Sequence, residues 1–213
     1  MSRKLEIPLV RDKVYDLLKE DILKGKIRLG QKLNLREIAE ELGISTAPVR
    51  DALLTLSSEG LVKVVPRVGF FVTTVNENYI NEIIESREML EVFCLDRYFE
   101  RIREKLEGSD VLEKAKVVRR SGDRKAFDES DKRLHMTIVE SSNNEIIIGF
   151  YRKLWDRIDL VRHLNRRYLE SNEEHIRIVL SILEGDKDSA LHHLKEHLRN
   201  VQEDTIRNLK SGE

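Results

Sequence analysis

The sequence has little of what marks several common classes of protein. It contains one cysteine, Cys94, so no intramolecular disulfide can form, and a lone thiol in an apolar helical context is typical of inert packing. No apolar run reaches the length that spans a bilayer, and the basic start is not followed by the apolar stretch of a signal peptide. We therefore expect a cytoplasmic protein without a membrane segment.

Proline is also scarce, with three in 213 residues and none after position 77. Beyond that position the apolar residues recur at helical spacing, with interruptions at Gly108, Gly122, the Asn143-Asn144 pair and Gly185. This pattern predicts six helices, at about residues 77–107, 110–120, 123–142, 145–166, 171–184 and 186–209. An antiparallel helical bundle would bury their apolar stripes, which include Leu90, Phe93, Cys94, Leu134 and Ile138.

The chain lacks a strong net charge, since 38 basic residues face 39 acidic ones. The first 75 residues are slightly basic, with 13 lysines and arginines against 10 acidic residues. This excess is too small for a broad cationic surface, so any contact with DNA would depend on a few aimed side chains. We place a domain boundary at the Val75-Asn76 junction, which gives domains of residues 1–75 and 76–213.

Residues 34–58 have the pattern of two short helices joined by a tight turn. Asn34 followed by Glu37 resembles a capping box, and Gly43 suits the left-handed conformation that ends a helix. Ser45 is a good N-cap for the second helix, with Pro48 in its first turn. The buried stripe of that helix is predicted to contain Val49, Ala52, Leu53 and Leu56.

Two β-rich runs follow, at residues 61–65 and 70–74, and an apolar stripe upstream at residues 9–23 supplies a third helix. That upstream stripe contains Val14, Leu17, Leu18, Ile22 and Leu23. Arg67 is predicted at the tip of the two-stranded wing, where Gly69 lets the chain turn. The order of elements is that of a winged helix-turn-helix, whose second helix presents its N-terminal residues to DNA.

The LREIAEELGIS helix and turn, the PVRDAL helix start and the RVGFFV wing resemble the DNA-binding domain of the GntR family of bacterial regulators. The resemblance implies binding to double-stranded operator DNA. It places the contacts on Arg36, Ser45, Thr46, Arg50, Arg67 and Gly69. Thr46 departs from the arginine that many relatives carry. Taken singly, Arg50 could instead pair with Asp51 or Glu37, and Arg36 with Glu40.

In the second half, Asp131 and His135 are four residues apart and project from one helix face, a spacing that can chelate a metal ion. His175 and His197 lie on two later helices that could converge on the same interior point. By itself an aspartate and a histidine at this spacing are more often a surface ion pair. We expect His163, His192 and His193 to be packed or exposed.

The segments GDRKAFDESDKRLH, EHIRIVL and HLKEHL resemble the FadR C-terminal domain, called FCD, in its six-helix VanR-like branch. The resemblance implies a divalent metal bound by Asp131, His135, His175 and His197. Nitrogen-rich ligation favours zinc or nickel and leaves manganese open. The resemblance also implies a small carboxylate effector near Arg87 and Asn144. Arg87 could equally pair with Glu91 within its helix.

The whole pattern predicts a mostly α-helical regulator that binds a near-palindromic operator as a homodimer and responds to a metabolite. A metal-dependent enzyme is the alternative, because a metal with open positions can activate water. No additional glutamate or histidine is evident as a general base, which disfavours the enzyme. A regulator whose metal is structural, or is itself the signal, is a third hypothesis.

Overall fold

The computed structural model describes residues 10–162 and 164–211, and the chain divides into two compact units at the Val75-Asn76 junction. The first unit contains α1 (Val10–Leu23), β1 (Lys32–Leu33), α2 (Leu35–Glu41), α3 (Thr46–Ser58), β2 (Val62–Val65) and β3 (Gly69–Val72). The strands form an antiparallel sheet in the order β1-β3-β2. This arrangement is a winged helix-turn-helix, as the sequence predicts.

The local signals in the first unit act as expected, with one exception. Asn34 caps α2, since its Oδ1 accepts a hydrogen bond from the Arg36 backbone N–H at 3.0 Å. Gly43 takes a φ of +65° at the turn before α3, a conformation that costs glycine little. Ser45 occupies the N-cap position of α3, but its side chain forms no capping hydrogen bond.

The core of the first unit lies where α3 packs against α1, α2 and β2. All four apolar residues predicted for the α3 stripe are buried. In α1, however, Leu17 is 42% exposed, which corrects its place in the predicted stripe. Val14, Leu18 and Ile22 are buried at four-residue intervals, and Leu17 projects to one side of that row.

Strand β1 is not predicted by the sequence. It contains only Lys32 and Leu33, too few residues for an alternating pattern to be visible, and it pairs with Phe71 and Phe70 of β3. The wing is therefore held to the helical core by a third, short strand.

The second unit is an all-helical bundle. Its helices are α4 (Glu77–Arg97), α5 (Phe99–Glu107), α6 (Val111–Ser121), α7 (Arg124–Glu140), α8 (Glu145–Arg162), α9 (Tyr168–Leu183) and α10 (Lys187–Ser211). Helix α10 packs on α9 and α4, and α4 also packs on α7 and α8. These contacts bring the middle of α4, α7, α9 and α10 together in the interior.

Within residues 76–162 and 164–211 there are seven helices, so the predicted count of six is wrong. The first predicted helix divides at Tyr98, which has φ −120° and ψ 28° and separates α4 from α5. Tyr98 is neither glycine nor proline, so no local signal announces the break.

The buried face of α4 also differs from the prediction. Phe93, which we placed in the buried stripe, is 51% exposed, whereas Arg87 and Glu91 are 3% and 0% exposed. The hydrophobic pattern fails here because the helix turns a charged pair, not its largest apolar side chain, toward the interior. None of the helices in the described part of the chain is both long and apolar enough to cross a membrane.

Candidate metal centre and nucleic-acid interface

Asp131 and His135 of α7, His175 of α9 and His197 of α10 meet in the interior of the second unit. All four residues are buried, and the exposed fraction of the three histidines does not exceed 1%. One potential ligand atom from each residue lies within 4.8 Å of every other. The three helices bring together four side chains that span 67 residues of sequence.

The distances between these atoms match the spacing of ligands around one ion. His175 Nε2 lies 3.3 Å from His135 Nε2 and 3.2 Å from His197 Nε2. Asp131 Oδ1 lies 3.4 Å from His135 Nε2 and 3.5 Å from His175 Nε2. Adjacent ligands bound to zinc at about 2.1 Å are roughly 3.0 to 3.4 Å apart, so the donor set fits a divalent ion.

Two buried carboxylates fix the orientation of two of the imidazoles. Glu91 Oε2 lies 2.6 Å from His135 Nδ1, and Glu174 Oε2 lies 2.8 Å from His197 Nδ1. Because these carboxylates accept hydrogen bonds, each neutral ring keeps its hydrogen on Nδ1 and directs the Nε2 lone pair toward the cluster. His175 Nδ1 is buried and has no hydrogen-bond partner within residues 10–162 and 164–211.

The electrostatics favour neutral imidazoles at two of the three positions. Burial, reinforced by His197, lowers the pKa of His175 well below its ordinary value, and burial also lowers the pKa of His197. Burial opposes charge on His135 as well, but Glu91 and Asp131 together outweigh it and raise the pKa of His135. A divalent ion and a proton therefore compete for the Nε2 lone pair of His135.

Each supporting carboxylate is itself held by cations and hydrogen-bond donors. Glu91 Oε1 accepts from Arg87 Nε at 2.8 Å and from the Tyr151 hydroxyl at 2.6 Å. Burial opposes the charge of Glu91, but Arg87 and His135 outweigh it and lower the pKa of Glu91 to about 2. Glu91 thus remains an ionised acceptor at neutral pH.

Glu174 has an equivalent set of partners, with Arg167 Nη2 and Asn200 Nδ2 each 2.8 Å from its Oε1. Burial again opposes the charge, and His197 and Arg167 lower the pKa of Glu174 to about 2. Neither Glu91 nor Glu174 is predicted from the sequence as a neighbour of the cluster. Glu174 stands next to His175 in the EH pair, but no spacing rule assigns it to His197.

The other residues predicted for the second unit lie at several separate places. Arg87 forms the intrahelical pair with Glu91 and also lines a cavity beside Asp131. Asn144 is exposed, and its Oδ1 accepts from the backbone N–H groups of Ile146 and Ile147 at the start of α8. His192 is exposed, and His193 Nδ1 lies 3.2 Å from the Ser181 hydroxyl. His163 lies outside the described residues.

In the first unit, an open groove of about 650 Å³ runs between α2, α3 and the wing. Arg36, Arg50, Arg67 and Gly69 all line it, together with Lys32. All three arginines are exposed, and neither Arg36 nor Arg50 forms an ion pair with any residue of the described ranges. Ser45 and Thr46 are exposed at the N-terminal end of α3 and do not line the groove.

The turn of the wing holds Arg67 in an uncommon conformation. Its φ is +64°, and the turn closes through a hydrogen bond from the Val68 backbone N–H to the Val65 carbonyl at 3.1 Å. Pro66 suits the position before it, but glycine or asparagine is usual where Arg67 stands. A left-handed residue with a Cβ costs about 1 kcal/mol or more, and such strain is common at functional sites.

Comparison with known proteins identifies both units. Residues 10–72 match the family model of the bacterial regulatory proteins of the gntR family, and residues 82–200 match that of the FCD domain. The regulator McbR of Escherichia coli is 28% identical over 187 residues, which cover 84% of this chain and 85% of McbR. The gluconate operon transcriptional repressor of Bacillus licheniformis is 29% identical over 196 residues, covering 87% and 80%.

Among solved structures, the FCD domain of the regulator TM0439 is 48% identical and covers 65% of this chain and 99% of its own. Its metal-free form matches with a TM-score of 0.63 and its Zn2+-bound form with a TM-score of 0.58. The winged helix-turn-helix, the helical bundle and these matches agree. The chain belongs to the GntR family of DNA-binding transcription regulators that carry an FCD domain.

Proposed function

We propose that this protein is a metabolite-responsive repressor that binds a near-palindromic operator as a homodimer and holds one divalent metal ion in its FCD domain. The observation that carries the sensor assignment is the convergence of three imidazole Nε2 atoms and one carboxylate oxygen, all buried. Zinc or nickel suits this nitrogen-rich set, and manganese is the further candidate. The zinc in the TM0439 domain supports the assignment.

The homodimer follows from the size of the DNA contact. A single winged helix-turn-helix touches too few base pairs for useful specificity, so two copies on a two-fold symmetric site are expected. The groove that contains Arg36, Arg50 and Arg67 would meet the DNA in each copy. The name of the B. licheniformis relative supports repression, with release from DNA when the effector binds.

The effector would be a small carboxylate bound close to the metal. A six-coordinate ion such as nickel or manganese keeps open positions when four protein atoms hold it, whereas zinc would have to expand its coordination beyond four. Three neutral imidazoles and one carboxylate leave a net positive charge on a divalent ion. Its binding would change operator affinity through the free energy that couples the two sites. The family resemblance implies Arg87 and Asn144 as effector-binding residues, and the placement of Arg87 beside Asp131 supports the role of Arg87.

Metal analysis of the purified full-length protein tests the sensor assignment. We expect about one zinc or nickel ion per chain by mass spectrometry. Absence of metal after purification and after incubation with either ion would contradict it. Chelation then separates the roles of the metal: loss of the helical fold indicates a structural ion, and a reversible change in DNA affinity at intact fold indicates that the metal itself is the signal.

Glu174→Ala is expected to weaken metal binding by about 10- to 100-fold, because His197 loses the acceptor that orients its Nε2 lone pair. Glu174→Gln keeps an acceptor oxygen and should recover part of that loss. The dissociation constant for zinc, measured by competition with a chromophoric chelator, checks both variants. Glu173→Gln, at the neighbouring position and paired with Arg119, is the matched control. Equal affinity in Glu174→Ala and wild type would remove Glu174 from this role.

Arg67→Gly is expected to raise the free energy of unfolding of the first unit by about 1 kcal/mol, because glycine adopts a φ of +64° without a Cβ penalty. The same change removes a cation from the groove and should weaken operator binding. Calorimetric melting and fluorescence anisotropy measure the two effects. Arg67→Ala separates them, since it should weaken DNA binding without the gain in stability. A glycine variant with unchanged DNA affinity would place Arg67 outside the interface.

A further inference from the structure

The outer face of the wing sheet carries two lysines on either side of an aromatic ring. Lys32 of β1 and Lys63 of β2 each lie directly opposite Phe71 of the central strand β3. Opposite residues of an antiparallel sheet project from the same face, so these three side chains form one row across it. The alternate residues Leu33 and Phe70 are buried in the core, which leaves the row directed outward.

The side chain of Lys32 joins this outer face to the groove of the recognition helix. Its Nζ lies 6.0 Å from the centroid of the Phe71 ring, at the limit of a cation–π contact. Its Cε lies 3.5 Å from the point where a Cβ would stand on Gly69, so its stem leans toward the tip of the wing. Lys32 and Gly69 also line the groove. The two surfaces are therefore continuous around the edge of the sheet.

The sequence concentrates the positive charge of the first unit on this sheet. Segments 22–36 and 60–75, which supply all three strands, contain seven of the 13 lysines and arginines of the first 75 residues and none of the 10 acidic residues. The seven are Lys24, Lys26, Arg28, Lys32, Arg36, Lys63 and Arg67. Lys24 and Lys26 pair with acidic residues of α1. The small total excess of charge thus conceals a strongly basic side.

Lys32 and Lys63 are exposed, and neither forms an ion pair with a residue of the ranges that the structure describes. Adjacent strands lie about 4.8 Å apart, so the backbones that carry the two lysines are separated by roughly 10 Å. Each strand of duplex DNA presents a phosphate about every 3.4 Å along the helix axis, so a DNA backbone that crosses the row offers a phosphate to each ammonium group. This spacing and the continuity with the groove favour DNA as the occupant.

We infer that the outer face of the wing is a second DNA-contact surface, on which Lys32 and Lys63 bind phosphates beyond the bases that the groove meets. This inference rests on the proposed docking of the groove on DNA, since Lys32 lies at the edge that the two surfaces share. Phosphate contacts add affinity and salt dependence but carry no sequence information. The outer face would therefore hold the protein equally well on flanking DNA of any sequence.

The salt dependence of DNA binding tests the inference. Fluorescence anisotropy on the full-length protein gives the affinity for an operator duplex, selected from genomic fragments, and for a scrambled duplex over a range of salt concentrations. The double variant Lys32→Gln/Lys63→Gln should lower the slope of log affinity against log salt by about 1.8, since each phosphate contact contributes about 0.9. It should weaken binding to both duplexes by the same factor, about tenfold or more at about 0.1 M salt.

Two control proteins separate charge from structure. Lys32→Arg/Lys63→Arg keeps both positive charges and should retain the wild-type slope. Lys24→Gln removes an exposed lysine that pairs with Glu20, and it should also behave as wild type. A lowered slope in either control would refute a specific phosphate contact by Lys32 and Lys63.

The length of the duplex locates the contacts. Removing the flanks of the operator duplex should lower the wild-type slope toward that of the glutamine double variant, whose own slope should change little. A wild-type slope that does not respond to trimming would overturn the inference. Equal slopes for wild type and the glutamine double variant would overturn it as well, and would favour an acidic protein segment as the occupant of this face.

The same measurements distinguish this inference from the proposed function. If the glutamine double variant loses affinity for the operator alone, the two lysines take part in base recognition, which contradicts phosphate binding by the outer face. Tight operator binding with equal slopes would refute the outer face and leave the repressor assignment intact. Failure of the wild-type protein to bind either duplex would contradict both.

Discussion

His175→Ala is expected to reduce the metal content from about one ion per chain to nearly none while the helical unit stays folded. His175 Nε2 is the atom that lies between His135 and His197, at 3.3 and 3.2 Å, so its loss removes the central ligand. The substitution also leaves the supporting carboxylates undisturbed, because Glu91 bonds to His135 and Glu174 to His197. Mass spectrometry on the purified variant measures the loss.

Thermal melting with and without a chelator gives a second measure of the same variant. A ligand that binds only the folded state stabilises it by about 2.7 kcal/mol at a hundredfold excess over its dissociation constant. Wild type should therefore melt at a lower temperature after chelation, and His175→Ala should show no such change. His192→Ala, at an exposed histidine of α10, is the control that should behave as wild type. Full metal content in His175→Ala would refute the assigned site.

Arg50→Ala is expected to weaken operator binding by about 10- to 100-fold and to reduce discrimination between the operator and unrelated DNA. A well-placed arginine contributes about 1 to 3 kcal/mol of discrimination against the wrong base. Arg50 is exposed in the groove between α3 and the wing, and no described residue engages it in an ion pair. The surface-pair alternative for this residue is therefore not realised in the structure.

Fluorescence anisotropy against operator and scrambled duplexes measures the effect of Arg50→Ala. Arg11→Ala is the matched control, because Arg11 is an exposed arginine of the first unit that pairs with Asp12. The control should retain discrimination. An Arg50→Ala variant with wild-type affinity for both duplexes would exclude Arg50 from base recognition.

The first unit is the part of the fold that local signals specify best. Asn34, Gly43 and Gly60 act at the ends of helices, where capping and a positive φ are decided by the residue itself. Strand β1 escapes prediction because its pairing with β3 joins residues about 40 positions apart and leaves no periodic trace. Local chemistry thus defines the helices and the turn, and tertiary pairing completes the sheet.

The metal cluster likewise has one part that the sequence predicts and one part that depends on tertiary packing. The spacing of Asp131 and His135 on one helix suggests chelation, and the resemblance adds His175 and His197. Glu91 could not be assigned from sequence, because an arginine and a glutamate four residues apart normally indicate an exposed pair. Here the pair is buried at the centre of α4, whereas Phe93 is exposed. The role of Glu91 depends on His135 and Tyr151, which are 44 and 60 residues away.

The decisive measurement is the operator affinity of the metal-loaded dimer, with and without each of a panel of small carboxylates at a saturating concentration. The operator is first selected from genomic fragments, and the dissociation constant is then measured by anisotropy at fixed salt and zinc. We expect the acid that binds to weaken operator affinity by about 5- to 150-fold in wild type, the range for a coupling free energy of about 1 to 3 kcal/mol, and to cause no change in His175→Ala. An operator affinity that is the same with and without bound acid would contradict coupling between the metal centre and the DNA-binding unit.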